Sequence, residues 1–173
     1  SPIGRATPAS TAKLALEGFK KAYRETETRV WLEEWGPACL APLARLNLTL
    51  AEFFHMAAIG DPRFRQFVVD RSDHAFIQRQ WAELDQFAPS EQSRITQVLR
   101  TRASFIWNSG ELLTILGQRN ATFDLDRIIN QPNGVLLANC GIHENLSDDQ
   151  SSMLGTQLQG LIMQHVWRRQ DLP

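Results

Sequence analysis

One short stretch limits this chain's folding options more than any other. The apolar run Val135-Leu-Leu-Ala-Asn-Cys140 follows a Pro132-Asn133-Gly134 turn, in a sequence otherwise patterned for helices. Pro, Asn and Gly each favour a turn for their own backbone reasons. An unbroken apolar run just after such a turn suits a strand covered on both faces, where an exposed strand would alternate. A single strand is not stable alone, and no other segment offers a convincing second one. The run therefore predicts one strand of a larger α/β sheet, and the chain is expected to be a piece of a longer protein.

Before that run the pattern is helical. Residues 1–10, rich in Pro, Gly and Ser, read as a linker. From Thr11, the residues Leu14, Ala15, Phe19 and Ala22 fall on one stripe, with charged residues opposite. Trp31, Leu32 and Trp35 continue an apolar face until Gly36-Pro37, which is expected to end the helix. A short helix over 38–45 should follow. Thr49-Leu-Ala-Glu52 has the form of a capping box, in which the Thr side chain and the Glu side chain each satisfy a backbone amide at the helix start. The helix it opens should run from Leu50 to Ile59 and stop at Gly60. Asp61-Pro62 then predicts another helix start, and further helices are expected over 73–87, 89–107 and 111–116. After the strand, Ser147-Asp-Asp-Gln150 caps a helix over 148–169. Gly155 and Gly160 inside that helix imply close packing against a sheet, because each glycine weakens a helix interior by about 1 kcal/mol. The predicted fold is mainly α. A multi-helix subdomain spans 11–117, and a strand–helix unit spans 118–173.

The bulk numbers exclude several classes. At 173 residues, with 43% hydrophobic and 21% charged, the chain can bury a core and is not of disordered composition. Its net charge of −1 gives no global field to recruit nucleic acid. Fifteen of its eighteen basic residues are Arg, a residue suited to planar pairing with carboxylate and phosphate. Arg63 and Arg65 flank Phe64, and Arg94, Arg100 and Arg102 share one predicted helix, so these five are the candidates for contact with DNA or a neighbouring subunit. Solvated helix faces with local ion pairs are the plainer reading of the same residues. Cys39 and Cys140 have neither the spacing nor the partners of a zinc site and read as buried thiols. His55, His74 and His165 read as packed histidines. No positively charged start precedes an apolar stretch, so no signal peptide is expected. No window reaches the length of a membrane helix.

No catalytic machinery is legible. A phosphate-binding loop needs Gly-x-x-x-x-Gly-Lys-Ser/Thr, and none of Lys13, Lys20 and Lys21 stands in that setting. The predicted strand ends in Asn139-Cys140, without the acid that would hold a metal. The polar pair His143-Glu144, in the loop after the strand, is the remaining candidate contact, since sites of α/β folds form beyond strand ends.

Taken in order, certain residues resemble a known family. They are Trp35-Gly36-Pro37, Leu48-Thr-Leu-Ala-Glu52, Asp61-Pro-Arg-Phe-Arg65, Trp81, Leu116-Gly-Gln118, Phe123-Asp-Leu125, Gly134-Val-Leu-Leu-Ala-Asn139, Leu154-Gly155 and Arg168-Arg169. Their order and spacing are similar to the TraG/TraD-like coupling ATPases of conjugation and type IV secretion, within the FtsK/HerA P-loop superfamily. The resemblance implies that 11–117 is a helical insertion and that 118–173 is an incomplete part of an α/β ATPase core, between Walker A and Walker B. It further implies a parent that uses ATP and Mg, moves DNA or protein substrate and works in a ring of like subunits. Such a parent would act in the cytoplasm or at the inner face of the membrane. The chain alone is expected to hold no cofactor or metal and to have no activity. A helical adaptor that binds protein only is the other reading.

Overall fold

The computed structural model of the chain describes residues 7–22, 26–58, 62–120, 123–140 and 146–170. These residues form nine α-helices and one 3-10 turn. The first helices are α1 (Pro8–Ala22) and α2 (Thr26–Arg45), followed by the 3-10 turn Leu50–Glu52 and α3 (Phe53–Met56). Then come α4 (Arg63–Asp70), α5 (Ala75–Asp85), α6 (Pro89–Trp107) and α7 (Gly110–Leu116). The last two are α8 (Leu125–Asn130) and α9 (Asp148–Gln170).

The helix starts follow their caps. Thr49 Oγ1 accepts from the Ala51 amide at 3.2 Å, and Glu52 Oε2 accepts from the Thr49 amide at 2.7 Å, completing the expected box. Ser109 caps α7 through the Leu112 amide. Ser147 and Gln150 exchange hydrogen bonds at the start of α9. The proposed cap Asp61 and the expected stop at Gly60 lie outside the described residues.

Gly36-Pro37 does not end a helix. α2 runs on through Pro37 and Pro42 to Arg45. Each internal proline costs about 3 kcal/mol, and tertiary burial offsets it: Trp35, Ala38, Cys39, Leu40 and Leu43 all lie inside, and each leucine alone returns about 1.5–3 kcal/mol. Gly36 serves close approach here, since a Cβ on it would sit 2.7 Å from Leu16 Cδ1.

α1 is the central helix of a three-helix layer. Leu16 meets Gly36 and Lys20 pairs with Glu33, so α1 and α2 are antiparallel. On its other side, Ser10, Leu14 and Gly18 face Gln164, Gly160 and Gln157, so α9 is antiparallel to α1 as well. Helices α3 to α7 complete one core with α1 and α2, built on Phe19, Phe53, Trp81, Leu99, Ile106 and Leu112, while α8 rests on α9. Of the tryptophans, Trp35 and Trp81 are buried and meet edge to face at 5.3 Å, whereas Trp107 is half-exposed. The glycine-bearing helix α9 therefore packs on a helix, and the expected sheet beneath it is not formed among the described residues.

Candidate functional site

The predicted strand is not formed among the described residues. Residues 134–140 have no regular structure, and Val135 and Leu137 are 74% and 91% exposed. Leu136 between them is half-buried. No backbone amide of 135–138 bonds to another described residue. The physical reason is the one that makes a lone strand unstable: the described part of the chain provides no edge to pair with. What the sequence presents as sheet interior is here an unpaired apolar segment.

Both ends of that segment are fixed. α8 leads into it and begins at Asp124, whose Oδ1 accepts from the Arg127 amide at 3.0 Å. Asp126 on α8 contacts His165 Nδ1 on α9, holding the two helices together. The chain then turns at Asn133, whose φ of 60° is left-handed backbone that Asn tolerates better than most residues. Gly134 follows, with no room for a side chain: a Cβ would lie 1.9 Å from the Ile128 carbonyl oxygen. At the far end, Cys140 lies beside Gly155 of α9 and is half-buried, less enclosed than the buried thiol expected there. Natural sheet edges are usually protected by charge or proline, yet no Asp, Glu, Lys or Arg stands between Arg127 and Glu144. The segment is thus an anchored, uncharged strip of backbone with two exposed apolar side chains.

The candidate arginines do not gather into one surface. Arg65 is buried, its Nη2 2.6 Å from Asp85 Oδ1 and its guanidinium over the Trp81 ring at 4.9 Å. Arg102 is buried too. Positions 100 and 102 are about 200° apart around α6, so they cannot share a face. Arg63 and Arg94 are exposed, Arg94 pairing with Glu91 at 2.8 Å as the plainer reading expects. His143 and Glu144 lie outside the described residues.

Chemistry elsewhere is sparse. Cys39 is fully enclosed, and burial pushes its thiol far above the ordinary range, against a smaller opposing effect of Arg65. Such a thiol is no nucleophile. Among the described residues no cluster of His, Cys, Asp and Glu could hold a metal, and no helix is long and apolar enough to cross a membrane. His74 is exposed instead of packed, and His55 is exposed but lies against other rings. His55 meets Phe64 and Trp107 edge-on in a surface aromatic cluster.

No protein-family model, curated protein or solved structure matches this chain. Its function has to be argued from the residues. Sequence reasoning missed α8, although Asp124 three residues before Arg127 is an ordinary helix-start signal. It also missed the contact of His165 with Asp126, for which no local signal exists because 39 positions separate them.

Proposed function

We propose that this chain is the helical, partner-contacting part of a DNA-translocating or secretion-coupling ATPase. The phosphate-binding loop and the metal-holding acid would belong to other parts of that protein. The observation that carries this reading is the anchored, uncharged and unpaired segment Val135–Ala138, which occupies the place where the resemblance to TraG/TraD-like proteins requires a strand. A sheet supplied by the ATPase core would pair its backbone and cover Val135 and Leu137. The described residues bring no catalytic constellation together, which is compatible with a part that positions substrate or neighbours while hydrolysis happens elsewhere.

The neighbouring gene sequence gives the first test. A Gly-x-x-x-x-Gly-Lys-Ser/Thr loop upstream and an apolar strand ending in acids downstream are expected, and the polypeptide with those flanks should hydrolyse ATP while residues 1–173 do not. Flanks without either motif would remove the proposal. Contact with DNA through Arg63 and Arg94 would show as affinity that falls steeply with added salt.

A second reading is favoured by one observation. α9 packs along α1 and closes a helical body with no sheet among the described residues, as a stand-alone adaptor would require. In that reading the exposed segment receives a strand from a separate protein, and ATP hydrolysis is absent with or without the flanks.

A further inference from the structure

A cleft of about 330 Å³ opens where α1, the end of α2, α7 and α9 converge. This is at the lower end of the roughly 300–1,000 Å³ range of small-molecule sites. Its floor is aliphatic, with Ala15 and Leu43 of the buried core and Leu116 and Leu161 at the sides. Its rim is polar, with Thr11, Asn47, Thr49 and Gln118, so the aliphatic floor is wetted from the open side and covering it would release that water.

Two polar groups in the cleft are unevenly used. Gln157 is 9% exposed, and its Nε2 donates to the carbonyls of Leu14 at 3.1 Å and Ala15 at 3.3 Å. Its Oε1 accepts nothing from the described residues. Arg119 also lines the cleft and makes a single 3.3 Å contact with Glu52 Oε1. Glu52 gives its other oxygen to Thr49, and the Arg119 side chain is 62% exposed, so most of its five donors face solvent at the cleft's edge.

We propose that this cleft binds a small aliphatic molecule with one anionic head, the chain lying against Ala15, Leu43 and Leu161 and the head meeting Arg119. The planar, permanently charged guanidinium selects a carboxylate over a neutral hydroxyl. Glu52 is the nearest carboxylate to Arg119 and competes with the head for it. This inference does not depend on the ATPase reading.

Calorimetric titration of the full chain with octanoate and with octanol tests it. The expected result is one saturable site for octanoate, with octanol weaker by roughly fivefold to tenfold. Arg119→Gln should bring octanoate down to the level of octanol. Ala44→Phe, which fills the cleft from half-buried Ala44 on α2, should abolish both, with melting temperature confirming that each variant folds. Absence of saturable binding to either compound overturns the proposal. So does octanol binding as tightly as octanoate, or octanoate binding that survives Ala44→Phe unchanged.

Discussion

The indole Nε1 of Trp81 donates to the carbonyl oxygen of Ala38, 3.1 Å away inside the core. In an uninterrupted helix that carbonyl would accept from the amide of residue 42, but residue 42 is a proline inside α2 and has no amide hydrogen. Trp81 therefore completes a helix that the sequence leaves incomplete. Trp35, which packs edge-on against Trp81, has a buried Nε1 with no partner among the described residues. Trp81→Phe and Trp35→Phe remove similar volume, yet only the first orphans a carbonyl. Chemical denaturation should show Trp81→Phe costing about 1–3 kcal/mol more than Trp35→Phe. In a Pro42→Ala background, where residue 42 regains its amide, that excess should shrink. Equal costs in both backgrounds would show that the hydrogen bond contributes nothing.

The two glycines of α9 are not equivalent. A Cβ on Gly160 would lie 1.9 Å from Leu14 Cδ1, whereas one on Gly155 would make only an ordinary contact with Cys140 at 4.0 Å. Gly155→Ala is expected to stabilise the protein by up to about 1 kcal/mol through helix propensity. Gly160→Ala forces Leu14 or α9 to move and should destabilise by about 1–3 kcal/mol. Thermal melts of the two single variants check the opposite signs.

Glu52 gives a pH dependence. Burial alone would raise its pKa, but hydrogen bonds from Thr49 and Arg119 outweigh this and leave it below the ordinary value. A carboxyl held low when folded stabilises fully above its unfolded pKa of about 4.3 and loses that contribution as pH falls through the folded value. Wild type should therefore exceed Glu52→Gln by a constant margin at neutral pH, with the two curves converging in acid. A margin unchanged down to strongly acid pH would contradict the assignment.

Local signals carried most of the helical outline. α6 spans Pro89–Trp107 as expected, and the boxes at Thr49 and Ser147 form because their partners lie three residues away. The expectations that failed each depended on distant residues. Pro37 reads as a stop until α1 and α5 supply the burial and the indole that carry α2 past its prolines. Gly160 reads as a sheet contact until Leu14, far away in sequence, takes that place. Arg65 reads as a surface cation, but Asp85 and Trp81 enclose it. The apolar run 135–138 has the composition of a strand, and among the described residues no second strand pairs with it. Composition is local, whereas pairing is not. The cleft bordered by Arg119 left no mark in the sequence, because its walls come from four separated helices.

Hydrogen exchange at the amides of Val135 to Ala138 tests the central claim most directly. It should be measured on residues 1–173 and on the polypeptide that includes the flanking segments of the gene. The account predicts fast exchange in the first and strong protection in the second, as a sheet edge closes over the exposed segment. Equally fast exchange in both would mean that nothing pairs with it there, and the assignment to an ATPase core would be wrong.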